Sequence, residues 1–205
     1  FQLMVETGNL RVLDILSNAS ATIAEGEVLQ LTAASDLGTD EEIYLKVVRG
    51  KTAALFSAAM EVGGVIAGQS DDVVKALFAY GDALGISFQI VDDLLDYRGN
   101  TQATGKNVGD DFREHKLTLP VIKAVAKADT TERDFWHRTI AKGDQRDGDL
   151  EEALRLMDSH GTLDATRADA VAWADKAKAS LSVIEQSELK DMLLDLADYV
   201  VARVR

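Results

Sequence analysis

The sequence predicts an all-α protein with a single domain. Proline occurs once, at Pro120, and no segment shows the alternation of apolar and polar residues that is typical of strands. Apolar residues instead recur at helical spacing along most of the chain. The chain has 205 residues, 46% of them apolar, which suits one globular core, so residues 1–205 are predicted to form one domain.

The first two long helices are predicted from spacing and capping residues. Apolar residues at helical intervals predict a helix over residues 11–31, followed by a loop over residues 35–39. Thr39 and Glu42 have the spacing of a capping box. A second helix is therefore predicted over residues 40–67.

The start of the third helix is predicted from a glycine that ends the second helix and a serine that caps the next one. Gly68 ends the second helix, and Ser70 is the predicted N-cap of a third helix that contains residues 88–97. Residues 98–117 are rich in glycine and polar side chains and predict a long loop, a kind of segment that usually serves function. Beyond Leu119 shorter helices are predicted, with breaks near three glycines, Gly143, Gly148 and Gly161.

Composition excludes several classes of function. The net charge of −13 disfavours broad binding to nucleic acid or to anionic lipid. The chain has no cysteine, which excludes disulfides, thiolate zinc sites and cysteine nucleophiles, and fits a cytoplasmic location. The most apolar run, residues 53–68, contains Glu61 and is shorter than the roughly 20 residues that span a bilayer. A soluble or peripheral protein is expected.

The stretch FQIVDDLLDY, residues 88–97, places acids among apolar residues. On a helix, Gln89, Asp92, Asp93 and Asp96 fall within one arc of roughly 100°, and apolar side chains fill the rest. A helix with so wide an apolar face is mostly buried, so its polar stripe is expected to line a cleft. Three neighbouring carboxylates repel one another unless a cation lies among them.

Mg²⁺ is the cation that this stripe favours. Asp92, Asp93 and Asp96 offer hard oxygen ligands, and the chain has no cysteine and only three scattered histidines. Mg²⁺ prefers one or two carboxylates together with water and phosphate oxygens. The alternative is an acidic surface that merely faces solvent, as expected by chance in an acidic protein.

Three lysines are candidates for binding phosphate. Lys106 and Lys116 lie in the glycine-containing loop after the acidic helix, and Lys51 follows Gly50. The GKT at this point is not a Walker loop, because Leu45 stands where that motif requires glycine. The alternative for any one of these lysines, considered alone, is an ordinary solvent-exposed side chain.

These segments together resemble the trans-type isoprenyl diphosphate synthases. FQIVDDLLDY resembles their second aspartate-rich motif, GKNVGDDFREHKLTLP the loop after it, RGKTAALF their Lys-Thr segment, and IAEGEVLQL their Gly-Glu-x-x-Gln helix. The opening FQLMVETGN is similar to the long-chain, octaprenyl or decaprenyl branch. The resemblance covers essentially all 205 residues and implies an isoprenoid synthase-type helical bundle around a central cavity.

The resemblance implies a role for each matched residue. Asp92, Asp93 and Asp96 would hold Mg²⁺ against an allylic diphosphate, with Asp92 the most directly engaged. Lys51 and Lys106 would contact that diphosphate, and Lys116 would support phosphate binding nearby. The side chains expected to face the reacting carbons are Thr52, Phe88 and Gln89.

The resemblance also implies a reaction and partners. Isopentenyl diphosphate and an allylic prenyl diphosphate would condense repeatedly into a long all-trans polyprenyl diphosphate, as for a quinone side chain. A homodimer is expected, together with peripheral membrane contact for product release and no nucleic-acid partner.

Two departures from the family pattern leave alternatives open. The family's first aspartate-rich motif does not occur in these 205 residues, and their first residues already follow an apolar helical pattern with no N-cap before it. The N-terminal third is therefore expected to lie outside them, and the fragment alone is expected to be inactive. A non-catalytic subunit of the same fold, or a class-I terpene cyclase, remains possible. His115 stands where the family commonly has glycine, which predicts a stiffer loop.

Overall fold

A computed structural model describes residues 2–34, 36–98 and 108–204. Within these ranges every regular element is helical, which confirms the all-α prediction. The helices, labelled in chain order, are α1 (Gln2–Glu6), α2 (Leu10–Ala33), α3 (Glu41–Val48), α4 (Ala54–Ile66), α5 (Asp71–Arg98), α6 (Asp110–Arg113), α7 (Leu119–Lys127), α8 (Thr130–Trp136), α9 (Asp149–Ser159), α10 (Thr162–Ser180) and α11 (Glu188–Ala202). Two π-helical turns, Arg49–Ala53 and His137–Ala141, and a 3₁₀ turn, Leu181–Val183, complete the described elements.

Helix α5 is the central helix of the bundle. It packs most extensively against α4 and α10, and Ile86, Ile90 and Leu94 on it are fully buried. By length and composition α5 is also the one described helix that is apolar enough to cross a membrane. Half of its most apolar window is buried inside the bundle, as in the core helix of many soluble proteins.

The helix ends agree with the sequence except at the cap of α3 and at the short helix α6, which lies inside the predicted loop over residues 98–117. The backbone N–H of Val73 donates to the Ser70 hydroxyl, 3.4 Å away, as the N-cap prediction for α5 requires. The predicted cap at Thr39 is wrong: the side chain of Asp40 accepts from Ile43 N–H and begins α3. The Thr39 hydroxyl instead donates to the carbonyl of Ala33, 3.0 Å away.

The predicted helix over residues 40–67 is continuous but not regular. Between α3 and α4 the backbone widens into the π-helical turn Arg49–Ala53, which contains Lys51 and Thr52. Such turns often mark functional sites in helices. The predicted breaks at Gly143, Gly148 and Gly161 are present, since all three have positive φ.

Candidate diphosphate-binding site

A cavity of about 330 Å³ lies between the C-terminal end of α2, the run from α3 through the π-helical turn, the C-terminal half of α5, and α6 with the residues that follow it. Asp92, Asp93 and Asp111 contribute carboxylates to its wall, and Lys51 and Lys116 contribute ammonium groups. The structure thus brings opposite charges from three of these segments to one opening. A diphosphate bound together with a divalent cation would complement both: its phosphate oxygens would pair with the ammonium groups, and its cation with the carboxylates.

Asp92 and Asp93 are adjacent in the chain but lie in different environments. Asp92 is half-buried in the cavity wall, whereas Asp93 is only 4% exposed. Both Asp93 oxygens accept hydrogen bonds: Oδ2 from the Tyr44 hydroxyl at 2.6 Å, and Oδ1 from Gln89 Nε2 at 2.8 Å. Asp92 is therefore the acid of this pair that is more open to a ligand.

A chain of hydrogen bonds links the Lys-Thr segment to the acidic helix. The Thr52 hydroxyl donates to Gln89 Oε1 at 2.9 Å, and Gln89 Nε2 donates in turn to Asp93 Oδ1 at 2.8 Å. Because an ionised carboxylate can only accept, the contact with Asp93 turns the amide nitrogen of Gln89 toward Asp93 and leaves its oxygen for Thr52. Thr52 and Gln89 both line the cavity, next to the lysine and the acids.

Burial changes the acidity of Asp93 and Asp96. Desolvation raises the pKa of Asp93 to about 7, although the hydrogen bonds from Tyr44 and Gln89 pull it down. Desolvation also raises the pKa of Asp96 to about 6, with a further contribution from the nearby charge of Asp111. Both shifts are those of carboxylates that a bound cation would stabilise in the ionised form.

Asp96 anchors the loop that follows the acidic helix. Its two carboxylate oxygens accept the backbone N–H groups of Asp110 and Asp111, at 3.1 and 3.0 Å, and its carbonyl accepts from Gly109 N–H. Asp96 does not line the cavity. In this structure it positions Asp111, which does.

The two described lysines are each held by polar partners. Lys51 Nζ donates to Gln30 Oε1 at 2.7 Å, and Lys116 Nζ lies 3.1 Å from Asp111 Oδ1 and 2.5 Å from Glu114 Oε2. Hydrogen bonding to Glu114 raises the pKa of Lys116 well above its usual value, so this side chain is a permanent cation. Lys106, the third predicted lysine, lies outside the described residues.

Phe88 occupies a different surface from its neighbour Gln89. Its ring lies 5.5 Å from that of Phe56, and the Arg203 guanidinium lies 5.5 Å from its centroid. Phe88 is not among the cavity-lining residues, so the structure places Thr52 and Gln89 together and Phe88 apart.

The cavity wall suits a cation that arrives with phosphate. No group of three His, Cys, Asp or Glu side chains within the described ranges is arranged to hold a metal ion by itself. Mg²⁺, however, takes one or two carboxylates and completes its shell with water and phosphate oxygens. Asp92, with Asp93 and Asp111 beside it, supplies donors of that kind.

Sequence reasoning missed several residues of the site. Asp111 and Tyr44 line the cavity but carried no assignment, and Gln30 was noted only as part of a helix motif. Asp111 had a local signal, since it stands five residues before Lys116 in the polar loop. Tyr44 had none, because its contact with Asp93 crosses 49 residues of chain.

Comparison with known proteins identifies the family. A family model described as polyprenyl synthetase matches residues 1–157, and the chain belongs to that family. It is 42% identical over all 205 residues to the octaprenyl diphosphate synthase of Escherichia coli K12, and covers 63% of that protein. The chain thus spans somewhat less than two thirds of this relative's length.

Solved structures agree in fold. A decaprenyl diphosphate synthase from Rhodobacter capsulatus is 67% identical with a TM-score of 0.95, and the match covers 100% of this chain and 63% of that one. A polyprenyl synthase from Caulobacter crescentus, in complex with calcium and isoprenyl diphosphate, is 46% identical with a TM-score of 0.94, covering 100% and 62%. These matches confirm the isoprenoid synthase-type helical fold.

Proposed function

We propose that the whole protein containing this chain is a Mg²⁺-dependent trans-polyprenyl diphosphate synthase. It condenses isopentenyl diphosphate with an allylic diphosphate into a long all-trans polyprenyl diphosphate. The observation that carries the proposal is the cavity in which Asp92 and Asp111 lie with Lys51 and Lys116. The polyprenyl synthetase family match supports the same reaction class.

The residues of the cavity fit the charge that this reaction develops. The bond between the allylic carbon and the diphosphate oxygen breaks, and its electron pair leaves with the diphosphate. Lys51 and Lys116 are fixed cations that stabilise this leaving group without reorganising. Asp92 would be the foremost protein ligand of a Mg²⁺ ion bound with the diphosphate, and that ion would neutralise more of the charge.

The new carbon–carbon bond forms at the carbon that has lost diphosphate. The double bond of isopentenyl diphosphate attacks the allylic cation, and a proton then leaves to the released diphosphate. Thr52 and Gln89, held together by their 2.9 Å hydrogen bond, present fixed oxygen dipoles beside the place where the diphosphate binds.

The relatives support a long product. One is named an octaprenyl and one a decaprenyl diphosphate synthase, so we propose a polyprenyl chain of that class, of the kind used for quinone side chains. We further propose a cytoplasmic homodimer with peripheral membrane contact for product release. Exposed apolar side chains on α2 support a subunit interface there: Leu10, Val28 and Leu31. Sedimentation of the whole protein tests the dimer, and a monomer would contradict it.

Product analysis tests the proposal and separates the alternatives. The whole protein, incubated with Mg²⁺, isopentenyl diphosphate and an allylic primer, is expected to form linear polyprenyl diphosphates, detected by mass spectrometry. Chelating the metal should abolish them. A cyclic hydrocarbon would instead indicate a class-I terpene cyclase. A whole protein that forms no product from these substrates unless a second, active subunit is added would indicate a non-catalytic subunit.

Substitution of Lys51 tests its role in binding the diphosphate, and substitution of Lys46 serves as the control. Lys51→Ala removes a cavity cation and is expected to raise the KM for the allylic diphosphate by about tenfold or more. Lys46→Ala removes an exposed lysine of α3 that pairs with Glu42, and should leave the KM unchanged. Equal KM values for the two variants would contradict the role of Lys51.

A further inference from the structure

The contact between Tyr44 and Asp93 joins two separate helices inside the cavity wall. The Tyr44 hydroxyl, on α3, donates to Asp93 Oδ2 on α5 at 2.6 Å. Tyr44 is 6% exposed and Asp93 is 4% exposed, and both line the cavity. A hydrogen bond from a neutral donor to a buried carboxylate is among the stronger ones in proteins.

Two donors together restrict the Asp93 carboxylate. Gln89 Nε2 donates to Oδ1 at 2.8 Å while Tyr44 donates to Oδ2, so the group cannot turn without losing one bond. Each oxygen keeps a further lone pair, since an ionised carboxylate has about four acceptor positions. The carboxylate therefore faces the cavity in one orientation.

We propose that Tyr44 is a positioning residue that sets the affinity of the cavity for a divalent cation bound with diphosphate. It does so by holding Asp93 in place beside Asp92. This inference rests on the proposed function, because it concerns the same cavity and ligand. Partners that orient acids around a metal site typically contribute 10- to 100-fold in metal affinity, so about tenfold is expected from this hydroxyl.

A simpler role for Tyr44 would be packing alone, and Tyr80 offers the matched comparison. Tyr80 on α5 is fully buried, and its hydroxyl donates to the carbonyl of Leu193 at 2.7 Å, away from the cavity. Phenylalanine at either position keeps the ring and removes one hydrogen bond of similar length. Only the Tyr44 change alters the surroundings of Asp93.

Binding of Mn²⁺ in the presence of inorganic pyrophosphate tests the inference without relying on turnover. Free Mn²⁺ is followed by its electron paramagnetic resonance signal during titration of the whole protein. Tyr44→Phe is expected to raise the apparent Kd for Mn²⁺ by about tenfold, whereas Tyr80→Phe leaves it at the wild-type value. Equal Kd values for Tyr44→Phe and wild type, with matching thermal melting curves, would overturn the inference.

A double-mutant cycle tests whether the Tyr44 hydroxyl acts through the Asp93 carboxylate. Asp93→Asn and the double variant Tyr44→Phe/Asp93→Asn are expected to have the same Kd for Mn²⁺, because the hydroxyl acts only through the carboxylate. A further tenfold loss in the double variant would show that Tyr44 acts otherwise and would overturn the inference. Wild-type protein that binds no Mn²⁺ with pyrophosphate would overturn the proposed function as well.

Discussion

Gly26 of α2 and Gly50 of the π-helical turn bring two backbones into contact beside the cavity. A Cβ built on Gly26 would lie 2.6 Å from the backbone nitrogen of Lys51 and 2.7 Å from the carbonyl carbon of Gly50. Any side chain at position 26 must therefore push α2 away from the Lys51 segment. The position of Lys51 depends on these two missing side chains.

Gly26→Ala should destabilise the protein and weaken its hold on the allylic diphosphate. Overpacking of this kind typically costs about 1–3 kcal/mol, and Lys51 would shift from Gln30. Gly63→Ala is the control, because Gly63 is an exposed helical glycine with nothing within 4 Å of its added Cβ. That change should stabilise the protein by about 0.4–1 kcal/mol. Denaturant unfolding measures both, and a neutral Gly26→Ala would contradict the close approach.

Asp92→Ala in the whole protein should lower turnover with Mg²⁺ by about 10²-fold or more. The variant would lack the proposed protein ligand of Mg²⁺, and the charge on the leaving diphosphate would then be less well stabilised. Asp72→Ala provides a control, since Asp72 is an exposed acid in the first turn of the same helix. Steady-state rates compare the two. Wild-type turnover in Asp92→Ala would defeat the assignment of this residue.

The buried acid Asp93 should make stability depend on pH when no cation is bound. Its pKa is about 7 in the folded protein, against about 3.9 in an unfolded chain. The folded state thus binds the proton more tightly, so this contribution to stability is present below about pH 4 and is lost as the pH rises through about 7.

Asp93→Asn should flatten that dependence. With metal chelated, the free energy of unfolding is expected to fall less between about pH 5 and about pH 7.5 in the variant than in wild type. Asp72→Asn, at an exposed position, should keep the wild-type slope. The same slope in all three proteins would show that Asp93 is not a buried, titrating acid.

His115 has the backbone conformation that favours glycine. Its φ is +58°, and its buried Nδ1 has no hydrogen-bond partner among the described residues. A left-handed conformation costs a non-glycine residue about 1–2 kcal/mol. His115→Gly should therefore raise the free energy of unfolding by about 1 kcal/mol.

Glu114→Gly is the contrasting change one residue earlier. Glu114 has a φ of −83° and pairs with Lys116, so glycine there relieves no strain and removes an ion pair. Thermal unfolding of the two variants should give shifts of opposite sign. A destabilised His115→Gly would mean that contacts of the imidazole outweigh the backbone strain.

Local signals explain why so much of the fold was predictable. The cap at Ser70, the stops at Gly68 and Gly161 and the apolar face of α5 are all properties of neighbouring residues in the chain. The error at Thr39 has a local cause too: Thr39 and Asp40 are both cap-forming residues, and only the backbone angles of the folded chain select Asp40.

Features that depend on long-range contact were not predictable. The π-helical turn at Lys51 accompanies the approach of Gly50 to Gly26, 24 residues earlier in the numbering. The acidic stripe was predicted as one unit, but the bundle divides it: Asp92 lines the cavity, Asp93 is held by Tyr44, and Asp96 anchors the next loop. Such a division depends on which helix packs against each side chain.

A crystal structure of the whole protein with Mg²⁺ and a bisphosphonate shows directly whether this cavity binds a diphosphate together with a divalent cation. We expect the bisphosphonate in the cavity, with Mg²⁺ between its oxygens and the Asp92 carboxylate, and with Lys51 and Lys116 in contact with the phosphonate groups. An empty cavity, with metal and bisphosphonate bound elsewhere or not at all, would contradict it.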